Sequence, residues 1–233
     1  LQINGHGLAE LEQVFGTCFN VAHATGCSCL RCFKEHIDMV RSWLVPFSCF
    51  FVDVVFHLAG LIEVGLSVEN PIDFWQTNVG GTCNLLHIMK EFHVNNIVYS
   101  STAGLYRPQF TSLSEKAEIG NNNPYANSKY AAECAIRDSN LNYVIFRFFN
   151  LAGADPDGET GERHNPETHL IPLLFKNLNN FVINGKDYRT PDGTCIRDYV
   201  HVSDVADAHV AAADYMQTRM ANQPNTFNLG TGK

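Results

Sequence analysis

The sequence has 233 residues, of which 45% are hydrophobic and 17% are charged, and its formal net charge is −8. A chain of this size can bury one substantial core, or one core and part of a second. No run of Lys and Arg is long enough to follow a phosphate backbone, which argues against nucleic acid as a partner. The most apolar stretch, residues 43–59, contains Pro46, Asp53 and His57 and falls short of the ~20 apolar residues of a membrane span.

Residues 1–51 form an atypical opening without sustained helical or strand periodicity, apart from one candidate helix at residues 32–44. Five of the eight cysteines lie in this segment. Cys27, Cys29 and Cys32, with a nearby Cys or His, form one candidate metal site, but closed zinc sites usually show two clear ligand pairs. We therefore expect reduced thiols and no metal. With no recognisable leader peptide, we expect a cytoplasmic location.

From residue 52 onwards, predicted strands and helices alternate. Pro71 fits the first turn of a helix whose apolar residues recur at helical spacing, and Ser203 and Asp204 are expected to start the last helix. Parallel strands joined by helical crossovers predict an α/β fold with a doubly wound parallel sheet. The predicted elements are a strand at 52–58, a helix at 71–92, a strand at 97–101, a helix at 124–137, a strand at 143–149, a polar loop at 150–166, helices at 171–178 and 202–216, and a short strand at 225–229.

Tyr125 and Lys129 lie four residues apart on the predicted helix at 124–137, which brings both side chains to one face. A free tyrosine has a pKa of about 10, too high for a base at neutral pH. A cation within ~4–6 Å favours the phenolate, so we expect Lys129 to lower the pKa of Tyr125 and allow proton exchange with a substrate hydroxyl. On spacing alone, an exposed pair without a catalytic role is the more common case.

Ser100, Ser101 and Thr102 follow a predicted parallel strand, at the edge where open α/β sheets bind their ligands. A hydroxyl there can hydrogen-bond the substrate oxygen that the Tyr125 phenol serves. Serine and threonine at strand ends also commonly satisfy backbone groups. Together with the Tyr125/Lys129 helix, the triplet predicts an active site.

Thr102, Tyr125 and Lys129 resemble the Ser/Thr, Tyr and Lys constellation of the short-chain dehydrogenase/reductase superfamily, in its extended branch acting on nucleotide sugars. Within that branch, the sequence resembles the UDP-glucose 4-epimerases in register from residue 53 to residue 233. The matching motifs are Phe56-His-Leu-Ala-Gly-Leu61, Val64-Gly-Leu-Ser-Val68, Thr77-Asn-Val-Gly-Gly-Thr82, Ser100-Ser-Thr-Ala-Gly-Leu-Tyr106, Pro124-Tyr-Ala-Asn-Ser-Lys129, Arg147-Phe-Phe-Asn150, Gly153-Ala-Asp-Pro-Asp-Gly158, His169-Leu-Ile-Pro172, residues 192–202 and Asn228-Leu-Gly-Thr-Gly232.

The resemblance implies a role for each matching position. Thr102 would bind the sugar 4-oxygen, Tyr125 would act as base and acid, and Lys129 would also hold the nicotinamide ribose of NAD. Arg197 would pair with the diphosphate, unless it forms a surface ion pair with Asp192 or Asp198. The implied cofactor-binding residues are Leu58, Ala59, Gly60, Asn78, Ser100, Tyr125, Lys129 and Phe148, and the implied substrate-binding residues are Thr102, Asn150, His169, Leu170 and Arg197. We interpret His57, a lone histidine at a strand end, as a core residue.

The resemblance also implies a domain organisation. Residues 52–150 would be the later part of a Rossmann-like NAD-binding domain, and residues 151–233 would be mostly a smaller nucleotide-sugar lobe, shortened at its C-terminus. The long helices at 71–92 and 124–137 would pack against a second copy, which makes a homodimer. The first βαβ unit is expected to be missing or altered, because Glu10 stands where G-x-G-x-x-G, begun by Gly5-His-Gly7, needs its third glycine.

The implied reaction interconverts UDP-glucose and UDP-galactose through a 4-keto sugar, with transient reduction of bound NAD. Two alternatives remain. A nucleotide-sugar 4,6-dehydratase of the same branch would carry Asp-Glu after the Ser/Thr, where this chain has Ala103 and Gly104. A non-catalytic binding protein with this fold would explain the missing glycine-rich turn, while the intact Thr102, Tyr125 and Lys129 argue against it.

Overall fold

The computed structural model describes residues 52–232, except residues 110, 163, 165, 166, 177–181, 184 and 221. The atypical opening and its candidate cysteine site therefore lie outside the described residues, as do the last two residues of the helix expected at 171–178. The three described cysteines, Cys83, Cys134 and Cys195, are free.

A four-stranded parallel sheet forms the centre of the fold, in the order β1 (Val55–His57), β2 (Asn96–Thr102), β3 (Asn142–Phe148) and β6 (Thr226–Leu229). The two central strands, β2 and β3, are rich in β-branched and aromatic residues and are mostly buried on both faces, as is typical of parallel sheets. The parallel α/β architecture that the sequence predicts is confirmed.

Six α-helices accompany the sheet in the described part of the chain. The predicted helix at 71–92 contains a π-helical segment, Trp75–Gly80, between α2 and α3, and Pro71 lies in its first turn as expected. The Asn123 side chain accepts a hydrogen bond from the Ala126 N–H (2.9 Å) and caps α4. The helices are α1 (Val64–Glu69), α2 (Pro71–Phe74), α3 (Gly81–Glu91), α4 (Pro124–Asp138), α5 (Leu170–Lys176) and α6 (Val202–Thr218).

Alternation along the strands sends side chains to two different helical layers. Tyr99 of β2 packs with Met89 of α3 and Ile136 of α4 in one cluster. The adjacent residue, Val98, packs with Ala212 and with Met216 of α6 in a second cluster on the other face. The sheet is therefore covered by α3 and α4 on one side and by α6 on the other.

The structure differs from the sequence prediction in the second half of the chain. The expected loop at 150–166 begins with a strand, β4 (Asn150–Ala152), which pairs in parallel with β5 (Tyr199–His201). Both strands have three residues, and neither lies in a run of β-branched residues like the one that predicts β1. The last helix, α6, begins at Val202 as predicted. Its N-cap is the His201 side chain, which accepts a hydrogen bond from the Ser203 N–H (3.2 Å), so the capping role expected of Ser203 and Asp204 is wrong. No helix in the described ranges has the length and apolarity needed to cross a bilayer.

Candidate active site

Thr102 and Tyr125 meet at the carboxyl end of β2. Thr102 is the last residue of β2 and pairs with Phe148, the last residue of β3, so both stand at the edge where parallel sheets bind ligands. The Thr102 hydroxyl accepts a hydrogen bond from the Gly104 N–H (3.0 Å), and it lies near enough to the Tyr125 phenol to lower the pKa of that phenol. Tyr125 lies in the first turn of α4, with its ring edge-on to Phe74 (centroids 6.4 Å apart). The sequence-predicted hydroxyl pair is thus assembled.

Burial makes the Tyr125 phenol a weaker acid than the phenol of a free tyrosine. Burial raises the pKa of Tyr125 above its ordinary value of 10.0, and the nearby Thr102 side chain lowers it by a smaller amount. We expected the charge of Lys129 to lower this pKa. That expectation is wrong, because burial decides the direction of the shift and the opposing influence comes from Thr102 and not from Lys129. The phenol is protonated at neutral pH.

Lys129 lies beneath Tyr125 on α4 and is almost fully buried. Its Nζ lies 4.5 Å from the centre of the Tyr99 ring, a cation–π contact. Burial lowers the pKa of Lys129 from 10.5 to about 8, opposed by the negative charge of Glu133. Lys129 is therefore mostly charged at pH 7, although burial has brought its deprotonation close to the physiological range.

Asn78, in the π-helical segment, holds the loop that follows β1. Its Oδ1 accepts a hydrogen bond from the Leu61 N–H (2.8 Å), and its Nδ2 donates to the Leu61 carbonyl (3.1 Å) and to Ser128 Oγ (2.9 Å). A Cβ on Gly60 would stand 2.8 Å from Asn78 Oδ1 and 3.9 Å from Lys129 Nζ, so only glycine allows this close approach. Asn78 shapes the loop rather than presenting a free amide, and its direct contact with a cofactor stays a prediction.

The other predicted cofactor residues divide into two groups. Leu58 and Ala59 are exposed beside Gly60, and Leu58 is 57% exposed, an apolar side chain available to a ligand. Ser100 and Phe148 instead contact His209 of α6: Ser100 Oγ lies 3.4 Å from His209 Nε2, and the Phe148 and His209 rings are 5.9 Å apart. The Ser100 side chain therefore faces α6, opposite to the Tyr99 face that carries Lys129.

His57 is a satisfied core histidine, as the sequence indicates. Its Nε2 lies 2.8 Å from Thr82 Oγ1, and its ring lies 5.2 Å from that of Tyr99. Burial, and then the charge of Lys129, lower the pKa of His57 from 6.5 to about 4. The neutral ring adds no positive charge beside Lys129.

Asn150 and Arg197, two of the predicted substrate residues, lie on adjoining segments. Asn150 begins β4, and its backbone N–H donates to the carbonyl of Asp198, the residue after Arg197 (2.9 Å). Arg197 is exposed and donates to its own neighbour's carbonyl at Ile196 (2.9 Å). In the part of the chain that the structure describes, neither Asp192 nor Asp198 lies within ion-pair distance of Arg197, so the alternative surface ion pair does not form.

His169 and Leu170, the remaining predicted substrate residues, stand at the start of α5, half exposed. His169 Nδ1 lies 2.7 Å from Glu162 and 3.2 Å from Glu167, and His164 Nδ1 lies 3.2 Å from Glu162. Within the described ranges these four side chains form the group that could hold a metal ion, with one ligand atom from each within 4.8 Å of the others. They already satisfy one another by hydrogen bonds, so the cluster does not require an ion.

Asp198 is a structural residue that the sequence reasoning missed. Its carboxylate accepts hydrogen bonds from the Thr231 N–H, the Thr231 hydroxyl and the Gly232 N–H, each 2.8 Å. Burial alone would raise the pKa of Asp198, but these donors outweigh burial and hold the pKa below 3.8. The Asp198 carboxylate thereby fastens the segment after β6. The glycines of the motif at 228–232 were the sequence feature from which this contact could have been inferred.

A buried charged network behind the site was also missed. Glu133 of α4 is fully buried, and Arg147 of β3 donates to both its oxygens, from Nε at 3.0 Å and from Nη2 at 2.7 Å. Arg137 donates to Oε2 (2.8 Å), and Ser101 donates to Oε1 (2.5 Å). Such a bidentate pair requires a tertiary contact between helix and strand, which residue spacing does not reveal.

The fold and the Thr102/Tyr125/Lys129 group define the class of protein. Residues 37–230 match the family described as the NAD dependent epimerase/dehydratase family, and the chain belongs to it. The match begins earlier than the register predicted from residue 53. The chain is 44% identical over 187 residues to the UDP-glucose 4-epimerase of Rhizobium leguminosarum bv. trifolii, which covers 76% of this chain and 57% of the relative. It is 42% identical over 196 residues to the UDP-glucose 4-epimerase of Halalkalibacterium halodurans. This match covers 80% of this chain and 58% of the relative.

Solved structures give the same picture. The crystal structure of UDP-glucose 4-epimerase from Brucella ovis in complex with NAD aligns with a TM-score of 0.72 at 42% identity, covering 77% of this chain and 57% of that one. That from Bifidobacterium longum in complex with NAD+ and UDP aligns with a TM-score of 0.73 at 36% identity, covering 81% and 59%. The chain therefore spans less than three fifths of the length of each of these relatives.

Proposed function

We propose that this chain carries the active site of an NAD-dependent UDP-hexose 4-epimerase, an isomerase that interconverts UDP-glucose and UDP-galactose in galactose metabolism. The observation that carries the proposal is the placement of Thr102 at the carboxyl end of β2 near the Tyr125 phenol, whose pKa it lowers, with Lys129 one helical turn further along α4. Relatives named for this activity, at identities above 40%, support it.

The residues around the loop after β1 fit NAD. A Cβ added at Gly60 would lie 3.9 Å from Lys129 Nζ, and Leu58 is an exposed apolar side chain, so the loop and the ammonium group are neighbours. Leu58, Ala59, Gly60 and Lys129 would hold the cofactor there. When bound, NAD supplies the acceptor for the hydrogen at C4 and the means of returning it.

The proton at the sugar 4-oxygen is handled by three side chains. Thr102 would orient this oxygen and the Tyr125 phenol through its hydroxyl. The ionised fraction of Tyr125, its phenolate, would take the 4-hydroxyl proton as the 4-keto sugar forms, and the resulting phenol would give that proton back when the ring has turned in its pocket. Lys129, with a pKa of about 8, is charged at neutral pH and would stabilise the phenolate during the transfer. Ala103 and Gly104 offer no second proton-transfer group, which disfavours the dehydratase.

The diphosphate would be held by Arg197 and Asn150, with His169 and Leu170 lining the nucleotide. Arg197 supports this role because its guanidinium is exposed and, among the described residues, has no carboxylate partner. A guanidinium binds phosphate oxygens bidentately. The sugar must be held more loosely than UDP so that the ketone can present either face.

A cytoplasmic homodimer is part of the same proposal. Free cysteines at three described positions suit a reducing compartment. Ile72 and Trp75, in the first two segments of the helical run at 71–92, are 63% and 41% exposed and offer apolar surface to a second copy.

Proton NMR of the sugar anomeric signals tests the function. The purified chain, incubated with UDP-galactose and added NAD, is expected to produce UDP-glucose until the two sugars reach a constant ratio from either direction. If UDP and NAD both bind in calorimetry and no interconversion follows, the non-catalytic alternative stands and the proposal fails.

A further inference from the structure

Glu133 lies behind the Thr102/Tyr125/Lys129 group, one helical turn beyond Lys129 on α4. Residues four apart on a helix share a face, so the Glu133 carboxylate and the Lys129 ammonium point toward the same side of the sheet. Tyr99 and Ser101 of β2 receive them: Lys129 Nζ lies over the Tyr99 ring, and Glu133 Oε1 accepts a hydrogen bond from Ser101 Oγ. One carboxylate is thus bonded to the residue next to Thr102 and adjoins the lysine of the site.

We propose that Glu133 is a positioning residue of this site, which fixes the end of β2 through Ser101 and holds Lys129 in its protonated form by its negative charge. The inference rests on the proposed function for its catalytic consequence. Its structural and electrostatic content stands without that function.

Among the described titratable groups that face Lys129, Glu133 is the one with a negative charge. On α4 these groups are Tyr125, a neutral phenol, and Glu133; on β2, Tyr99; and on β1, His57. The pKa of His57 is lowered to about 4, and burial raises that of Tyr99 well above 10.0, so both are neutral at physiological pH. The charge of Glu133 opposes the burial that lowers the pKa of Lys129.

Stability alone does not account for the buried network. Glu133 is fully buried, with Arg147 bound in bidentate geometry and Arg137 on the same carboxylate. A buried ion pair seldom stabilises a fold more than well-packed apolar side chains of similar volume. A network that only joined α4 to β3 would not need its anion beside the site lysine or its oxygen on the neighbour of Thr102.

Glu133→Gln tests the proposal, because glutamine keeps the shape and most hydrogen-bonding capacity while removing the charge. NMR of ¹³C-lysine-labelled protein without cofactor, with the Lys129 signal assigned from Lys129→Met, reports the Lys129 titration midpoint directly. The midpoint is expected to fall by about one pH unit. The high-pH limb of the epimerisation rate should move in the same direction by a similar amount.

Arg137→Gln is the matched control. It removes a cation from the same carboxylate and one hydrogen bond from the same network, so a general loosening of α4 would affect both variants alike. The electrostatic account predicts that the Lys129 midpoint in Arg137→Gln stays or rises, opposite to Glu133→Gln.

A double variant, Glu133→Gln/Arg147→Gln, keeps the test sharp if the single variant does not fold, since no buried cation is then left unpaired. It too should titrate Lys129 below the parent midpoint. Midpoints within about 0.3 pH unit of the parent in the folded variants would overturn the proposal. A clear shift in Lys129 without any epimerisation by the parent chain would instead count against the proposed function alone.

Discussion

The Tyr125 hydroxyl is the group to which we assign the proton transfer. Tyr125→Phe is expected to keep the fold, because the ring still packs edge-on to Phe74, and to lower epimerase turnover by roughly 10²–10⁴, as loss of a general acid–base group does. Tyr130→Phe, on the same helix and outside the site, serves as the control and should retain parental turnover. Steady-state rates and circular dichroism check both. Turnover of Tyr125→Phe within threefold of the parent refutes the assignment.

Burial of Lys129 is expected to make the stability of the fold depend on pH. Its folded pKa of about 8 lies below the ordinary 10.5, so between these values the unfolded chain binds more protons than the folded one, and stability rises with pH. Below pH 8 the full cost of burying the ammonium remains. Lys129→Met should therefore gain stability relative to the cofactor-free parent at pH 7, and this advantage should shrink by pH 9.5. Urea unfolding at the two pH values measures it; an advantage independent of pH contradicts the burial argument.

The elements near the site were predictable to different degrees. β2, β3 and α4 were anticipated because their buried faces recur at regular spacing and Pro124 marks the helix start. β4 and β5 were not, since neither has the run of β-branched residues that revealed β1 and their pairing joins segments about fifty residues apart. The proximity of Thr102 to Tyr125 could be predicted because Thr102 follows a strand and Tyr125 opens the next helix. The protonated state of Tyr125 could not, because burial, which spacing does not report, decides the pKa.

The Asp198 carboxylate fastens the segment after β6 by hydrogen bonds, and these contacts, here called the clamp, can be tested by substitution. A Cβ on Gly230 would stand 2.5 Å from Asp198 Oδ2, whose carboxylate already accepts bonds from Thr231 and Gly232. Gly230→Ala should lower the free energy of unfolding by about 1–3 kcal/mol, because the carboxylate must move away from its donors. Gly65→Ala, inside α1 with no atom within 4 Å of its Cβ position, should be neutral or slightly stabilising. Equal effects in urea unfolding would exclude the clamp.

At the scale of the whole molecule, the account predicts a homodimer formed through the helical run that begins at Pro71. Ile72→Asp would bury a charge at that face and is expected to shift sedimentation toward monomer at micromolar concentration. Val210→Asp is the matched control, since Val210 is 64% exposed, close to the 63% of Ile72, but lies on α6 across the sheet. A parent chain that sediments only as monomer, or equal effects of the two variants, would contradict the predicted interface.

The central claim is that the Thr102/Tyr125/Lys129 site inverts the sugar at C4 and returns the same hydrogen. UDP-galactose deuterated at C4, incubated with the chain and added NAD, tests this most directly by NMR and mass spectrometry of the product. The account predicts UDP-glucose that retains deuterium at C4, with none formed by Tyr125→Phe on the same time scale. A 4-keto-6-deoxy product would identify a dehydratase, and UDP-glucose that has lost the label to solvent would contradict the mechanism.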